Sequence, residues 1–122
     1  MKVTEVAFVG YPVTDLNKAC WFYEDLLGLV QTRIFGDRTQ GWLEYDIGPA
    51  TLAITNMAPD WKPAGGGGSV AFEVDDMTSA VDRLKAARIR FVNGPFETPI
   101  CHILVVADPD GNLVTIHQRK KT

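Results

Sequence analysis

The stretch SVAFEVDDMTSAVDRLK, residues 69–85, predicts a β-strand followed immediately by an amphipathic α-helix. Its first half alternates apolar and polar residues, which is typical of a strand with one buried face. Its second half continues with apolar residues at helical spacing, among them Met77 and Leu84. Asp75 and Asp76 stand at the junction, where a carboxylate can accept the free N–H groups of a starting helix.

The same pattern occurs 61 residues earlier, which is half of the 122-residue chain. Residues 74–77, Val-Asp-Asp-Met, fall on residues 13–16, Val-Thr-Asp-Leu, and Ala80 falls on Ala19. We therefore predict two modules with the same order, β-α-β-β-β. Module 1 covers about residues 1–56, a linker covers 57–68, and module 2 covers about 69–122.

The elements of each module follow from apolar periodicity and from turn residues. In module 1 we predict a first strand over 3–11 with Val3, Ala7, Val9 and Tyr11 on one face. A helix follows over 16–27, capped by Thr14 or Asp15 and ended by Gly28, and then strands over 29–35, 41–47 and 50–55. In module 2 we predict a strand over 69–75, a helix over 76–87, a short strand at 90–92, a loop over 93–99, and strands over 100–107 and 112–119 that flank a turn at 108–111.

The linker contains Trp61 and four consecutive glycines, Gly65 to Gly68, whose backbone freedom disfavours regular structure. Two interpretations remain open for it. It is a flexible bridge between the modules, or a flap over a pocket with Trp61 as its apolar tip.

Length and charge limit the class of protein. Sixty residues alone bury too little surface, so the modules form one domain. The net charge of −3 and a basic cluster confined to the C-terminal end argue against a nucleic-acid partner.

Lys2 and Glu5 interrupt the apolar N-terminal stretch, so we expect neither a signal peptide nor a membrane span. We therefore expect a cytoplasmic protein. Cys20 and Cys101 are expected to be buried, reduced thiols.

Several motifs together resemble the vicinal oxygen chelate superfamily, which groups glyoxalase I, bleomycin-binding resistance proteins, fosfomycin-resistance enzymes, methylmalonyl-CoA epimerase and extradiol dioxygenases. They are the segments 13–16, 21–23, 26–29, 70–76 and 108–112, which span nearly the whole chain in the family's order. The resemblance implies an α+β fold in which two βαβββ modules form a curved, cup-like mixed sheet with helices on the convex face. It also implies a ligand cavity on the concave face and a homodimer.

Metal-using members of that superfamily carry His, Gln or Glu at four cup-facing positions. These positions match Phe8, Ala53, Ser69 and Thr115, and none of these side chains is a usual ligand of a divalent ion. We therefore expect no metal and no cofactor. The resemblance that remains is to the bleomycin-resistance type, in which the cup binds an apolar or aromatic small molecule without chemistry.

The candidate ligand-binding residues are cup-facing positions, aromatic side chains and ionisable groups on strands. They are Phe8, Trp42, Ala53, Thr55, Trp61, Ser69, Glu73, His102, Thr115 and His117. Trp21, Phe22 and Tyr23 are instead assigned to the core between helix and sheet, and no catalytic residue is assigned.

Two other functions remain open. One is a metal-dependent lyase, isomerase or dioxygenase whose site has moved to His102, His117 and Glu73. The other is a dimeric interaction module whose cup is filled by its own side chains.

Overall fold

The computed structural model of the chain describes Lys2 and residues 4–121. The chain divides into two compact units, Met1–Pro63 and Ala64–Thr122. Each unit contains a four-stranded mixed sheet and one helical segment, in the order β-α-β-β-β. The predicted α+β class and the repeated element order are therefore confirmed.

In unit 1 the sheet has the strand order β1-β4-β3-β2, with β1 parallel to β4 and the other pairs antiparallel. Its strands are β1 (Val9–Pro12), β2 (Arg33–Gly36), β3 (Gly41–Ile47) and β4 (Ala50–Thr55). The helical segment lies between β1 and β2 in the chain. It consists of α1 (Leu16–Cys20) and a continuation with π-type hydrogen bonding, the π segment (Trp21–Leu26).

Two strands of unit 1 begin later than the sequence predicts. The first was expected over 3–11, but β1 begins at Val9, and Val3 lies outside the described residues. Val9 pairs with Leu52 on β4, and β4 begins only two residues earlier, at Ala50. The chain before Val9 therefore soon runs past the end of β4 and has no strand to pair with. The strand expected from Leu29 begins at Arg33, since the Leu29 N–H still donates to the Tyr23 carbonyl at 3.0 Å.

The helical segment starts and stops where the sequence predicts, but its middle differs. Asp15 is the cap and accepts the Lys18 N–H at 3.2 Å, and Gly28 follows the segment with a φ of 78°. Phe22 is fully buried, as expected, whereas Trp21 is 43% exposed, so its assignment to the core is wrong. Two residues correspond to about half a helical turn, which places Trp21 opposite the buried Ala19 and Tyr23.

In unit 2 the strand order is β5-β8-β7-β6, and β5 runs parallel to β8. Its elements are β5 (Val70–Glu73), α2 (Met77–Ala86), β6 (Phe91–Glu97), β7 (Cys101–Ala107) and β8 (Leu113–Arg119). Asp76 caps α2 through the N–H and the hydroxyl of Ser79, at 3.2 and 2.7 Å. The predicted turn joins β7 to β8, with the Gly111 N–H donating to the Asp108 carbonyl at 3.0 Å.

The sixth strand corrects the sequence prediction. A short strand at 90–92 and a loop over 93–99 were expected, but β6 runs from Phe91 to Glu97 as the outer neighbour of β7. Its register shifts twice, once between Phe91 and Asn93 and once between Asn93 and Phe96. An edge strand tolerates a proline because it needs hydrogen bonds on one side only, and the bulges accommodate Gly94 and Pro95.

Each unit has its own apolar core on one face of its sheet. In unit 1 the core includes the fully buried Leu43, Tyr45 and Ile54, and in unit 2 Leu104, Val106 and Val114. Cys20 and Cys101 are buried free thiols, as predicted. Among the described helices, none is long and apolar enough to cross a membrane.

Candidate functional site

The strand register of unit 1 defines a face opposite its core. Leu43 and Tyr45 point into the core, so the alternating residues Trp42 and Glu44 point away from it. Glu44 is paired with Ala53, and Ala53 with Gly10 on β1. We call the face formed by Gly10, Trp42, Glu44, Ala53 and Thr55 the non-helical face of unit 1.

Three aromatic side chains gather on this face. Phe8 and Trp42 meet edge to face, with ring centroids 5.1 Å apart and ring planes at 88°. Trp61 lies against Gly10, where a Cβ atom would come within 2.6 Å of the Trp61 ring and 3.3 Å of the Phe8 ring. Phe8 is 42% exposed and Trp61 40% exposed. We call Phe8, Trp42 and Trp61 the aromatic cluster.

A polar network holds Trp42 in place. The indole N–H of Trp42 donates to Oε2 of Glu44 at 2.8 Å, and the other oxygen of Glu44 pairs with the Arg33 guanidinium. Arg33 also reaches Asp46 on the same strand as Glu44. The Arg33 guanidinium first, and then the Trp42 indole, lower the pKa of Glu44, so the carboxylate stays charged at neutral pH.

Two further predicted residues on this face are buried. Ala53 and Thr55 are 1% and 2% exposed. The Thr55 hydroxyl donates to the Gly41 carbonyl at 2.8 Å and accepts the Met57 N–H at 3.0 Å. Its hydrogen bonds therefore stabilise the end of β4.

Trp61 also borders a groove at the end of unit 1. The groove has a volume of about 280 Å³, and its lining includes Trp61, Lys62, Thr14 and Asn56. Its size lies at the lower limit for a small-molecule site. Whether the linker moves as a flap stays a prediction.

In unit 2, Glu73 and His117 form a close pair. They are direct partners in the parallel register of β5 and β8, and Nδ1 of His117 lies 2.6 Å from Oε1 of Glu73. Oε2 of Glu73 accepts the Arg119 backbone N–H at 2.7 Å. That N–H first, and then His117, lower the pKa of Glu73. Thr115, which is 9% exposed, shares this face two residues earlier on β8, and Ser69 precedes β5 as an exposed residue.

His102 lies on the other face of the same sheet, which corrects its grouping with His117 and Glu73. The register pairs His102 with Gln118 and pairs Ile103 with His117. Neighbouring residues on a strand point to opposite faces, so the two histidines do not converge. His102 instead lines a groove of about 300 Å³ with Met77 and Phe96.

Residues 5–116 match the family described as the Glyoxalase/Bleomycin resistance protein/Dioxygenase superfamily. The chain belongs to this superfamily. Two curated relatives are each named "Probable lactoylglutathione lyase". The one from Vibrio parahaemolyticus is 28% identical over 135 aligned positions and the one from Vibrio cholerae 29% over 128, each covering 89% of this chain and 86% of the relative.

Solved structures with the same fold include two proteins from Streptomyces sp. CB03234. TnmS3, described as an antibiotic binding protein, superposes with a TM-score of 0.79 at 24% identity, covering 98% of this chain and 99% of that one. A glyoxalase/bleomycin resistance protein superposes with a TM-score of 0.74 at 25% identity, covering 93% of this chain and 100% of that one. At 24% identity, the superposition on TnmS3 shows that the two proteins share a fold.

The metal chemistry found in parts of the superfamily does not fit the residues present here. Phe8 and Ala53 have no donor atom, and the neutral hydroxyls of Ser69 and Thr115 are weak ligands for a transition metal. Among residues 4–121 and Lys2, no three His, Cys, Asp or Glu side chains converge on one point. The donor set at the family's four positions is therefore unsuited to a divalent ion.

Sequence reasoning missed several residues of the non-helical face. Arg33 is ion-paired to both Glu44 and Asp46, and Phe35, which is 65% exposed, is paired with Trp42. The ion pair between Arg33 and Glu44 could have been predicted, because β2 and β3 form a hairpin that places these two residues opposite each other. The role of Gly10 could not have been predicted in this way, since it depends on where the linker places Trp61.

Proposed function

We propose that this member of the superfamily is a small-molecule-binding protein that holds a planar apolar or aromatic ligand against the aromatic cluster without using a metal. The observation that carries the proposal is the cluster itself. Two half-exposed rings, Phe8 and Trp61, stand with Trp42 on the face where the family's metal ligands are replaced by Phe8 and Ala53. The likeness to TnmS3, described as an antibiotic binding protein, supports the same class of function.

The cluster is suited to binding because it is fixed before a ligand arrives. Glu44 holds the Trp42 indole, Phe8 packs edge-on against Trp42, and Trp61 rests on Gly10. A fixed aromatic surface loses little conformational entropy on binding. A stacked aromatic ligand gains about 0.5–1.5 kcal/mol per ring pair beyond the burial of apolar area. We assign Ala53 to the floor of this site and Thr55 to its support.

The test uses 8-anilinonaphthalene-1-sulfonate, an aromatic probe with one sulfonate group whose fluorescence rises on binding to apolar surfaces. The wild-type chain should bind it, and Trp61→Ala should weaken the affinity by about tenfold or more. The matched control is Trp21→Ala, which removes an equally exposed indole, at 43%, from the helical side of unit 1. Equal affinities for the two variants and the wild type would reject the aromatic cluster as the site.

A metal-dependent lyase is the second candidate, because both Vibrio relatives are named probable lactoylglutathione lyases. The four family positions argue against it here. We expect no formation of lactoylglutathione from methylglyoxal and glutathione when Zn²⁺ or Ni²⁺ is added, and probe binding that EDTA does not change. Metal-stimulated turnover would overturn the binding proposal in favour of the enzyme.

We also propose that the chain acts as a homodimer, as the resemblance implies, and that it works in the cytoplasm. Light scattering after gel filtration measures the oligomeric state directly. A mass near twice the 13.4 kDa of the chain is expected, and a mass equal to one chain across micromolar concentrations would reject the dimer.

A further inference from the structure

We propose that the Glu73–His117 pair on β5 and β8 is a proton-accepting site for a ligand that carries an acidic hydroxyl group, such as a phenol or an enol. The site lies within unit 2, whereas the aromatic cluster lies in unit 1. The inference therefore does not depend on the function proposed above.

The contact with Glu73 fixes the tautomer of His117. When it is ionised, the carboxylate of Glu73 can only accept hydrogen bonds, and its lowered pKa keeps it ionised at neutral pH. The 2.6 Å contact must therefore be a hydrogen bond donated by Nδ1–H of His117. In the neutral ring the other nitrogen, Nε2, then carries the lone pair.

The Nε2 atom of His117 is available to a ligand. The His117 side chain is 24% exposed, and within the described part of the chain its one side-chain hydrogen bond is the contact to Glu73. An imidazole that is oriented through one nitrogen and unpaired at the other is the arrangement that accepts a proton from a bound group.

The carboxylate of Glu73 is also fixed in position. Its Oε2 accepts the Arg119 N–H, which orients the other oxygen, Oε1, toward His117. The Arg119 guanidinium, 3.9 Å from Oε1, is largely exposed and contributes little. When the ligand hydroxyl transfers its proton to Nε2, the O–H bond breaks and an N–H bond forms. The ligand becomes an anion beside an imidazolium that Glu73 stabilises.

The neighbouring positions suit an organic hydroxyl compound. His117 on β8 has Glu73 of β5 as its partner on one side and the apolar Ile103 of β7 as its partner on the other. Thr115 lies two residues before His117 on the same face, where its hydroxyl supplies a second polar group. The surroundings of the pair are thus apolar on one flank and polar on the other, as a phenol or enol requires.

The experiment compares 4-nitrophenol with 4-nitroanisole, which has the same ring but no acidic proton. At a pH where free 4-nitrophenol is mostly protonated, the wild-type chain should increase the phenolate absorbance and bind the phenol more tightly than the ether. His117→Gln should abolish the increase, and Glu73→Gln should reduce phenol affinity by about tenfold. His102→Gln, which changes the histidine on the opposite face, should retain the wild-type response.

Two further measurements separate a binding role from a structural one. Nitrogen NMR of the wild-type chain should find that the neutral form of the His117 ring carries its proton at Nδ1 and not at Nε2, and 4-nitrophenol should shift the Nε2 resonance. If His117→Gln lowers the melting temperature while the phenolate absorbance is the same as in wild type, the proposal is overturned. Anilinonaphthalene sulfonate fluorescence on the same wild-type sample reports the aromatic cluster, so the two proposals fail separately.

Discussion

Gly10 shapes the aromatic cluster by having no side chain. Its backbone lies within van der Waals reach of both Trp61 and Phe8, and a Cβ atom at 2.6 Å from the Trp61 ring would occupy the place where that ring rests. The atom in conflict is at the far end of the Trp61 side chain, so an added methyl group would displace that ring rather than the backbone. A larger residue at position 10 would therefore alter the surface of the cluster more than the fold beneath it.

This gives a prediction for Gly10→Ala. We expect the unfolding free energy to change by less than about 1 kcal/mol, because glycine to alanine exchange at an ordinary φ reduces unfolded-state entropy and offsets the displaced ring. Probe affinity should fall several-fold, measured by anilinonaphthalene sulfonate fluorescence. Gly66→Ala is the matched control, since nothing lies within 4 Å of a Cβ there. Unchanged affinity in Gly10→Ala would mean that Trp61 does not contact the ligand from this position.

The first turn of helix α2 is capped by two side chains, the carboxylate of Asp76 and the amide of Gln118, whose Oε1 accepts the Met77 N–H at 2.8 Å. Asp76 accepts two hydrogen bonds from Ser79, and these lower its pKa, the hydroxyl of Ser79 first. Asp75 contributes its carbonyl, which accepts the Gln118 amide at 3.1 Å. The two neighbouring aspartates thus have different roles, one through its side chain and one through its backbone.

We predict that Asp76→Ala lowers the unfolding free energy by about 1 kcal/mol at neutral pH, the usual cost of losing an N-cap. Asp75→Ala removes a neighbouring carboxylate but keeps the carbonyl, so it should change stability by less than about 0.5 kcal/mol. Urea denaturation measures both. Equal losses would indicate that the general negative charge at the helix start matters, rather than the cap.

The elements that the sequence predicts well are those fixed by neighbouring residues. Spacing alone placed Gly28 and narrowed the caps to Thr14 or Asp15 and to Asp75 or Asp76, because these residues act within their own turns, and the structure selects Asp15 and Asp76. The length of β6 and the side on which His102 lies depend on the partner strand and on two bulges. Alternation along one strand shows which of its residues share a face. It does not show how that strand is aligned with its neighbour, because the register between strands is set by tertiary packing.

In the whole molecule, the two units share one strand order but carry different side chains on their equivalent faces. Each unit pairs its first strand in parallel with its last, β1 with β4 and β5 with β8. Equivalent faces carry aromatic rings in unit 1 and a carboxylate–imidazole pair in unit 2. The motifs that predicted the fold lie mainly at turns, caps and buried positions. They therefore constrained the architecture strongly and the candidate sites weakly.

The whole molecule should lose stability in acid, because several carboxylates have lowered pKa values in the folded state. One of these is Glu24 on the helical side of unit 1, which is ion-paired to Arg38 and has 21% of its side chain exposed. Burial alone would raise the pKa of Glu24, but hydrogen bonds from Arg38 at 2.9 and 3.0 Å and from the Tyr45 hydroxyl at 2.8 Å bring it below the ordinary value. The same burial, and the hydrogen bond to Glu24, raise the pKa of Tyr45.

The sign of the pH dependence follows from that direction. A carboxyl with a lowered folded-state pKa contributes stability above its unfolded pKa of about 4.3, and the contribution is lost as pH falls through the folded value. We predict that the unfolding free energy declines below about pH 4.3 and that Glu24→Gln flattens part of this decline. At pH 7 the unfolding free energy of Glu24→Gln should be lower than that of the wild type by about 1–3 kcal/mol, because Arg38 loses its charged partner. Glu5→Gln changes an exposed carboxylate and serves as the control in urea titrations at each pH. If the slopes of stability against pH are the same in both variants, the acid sensitivity arises elsewhere in the molecule.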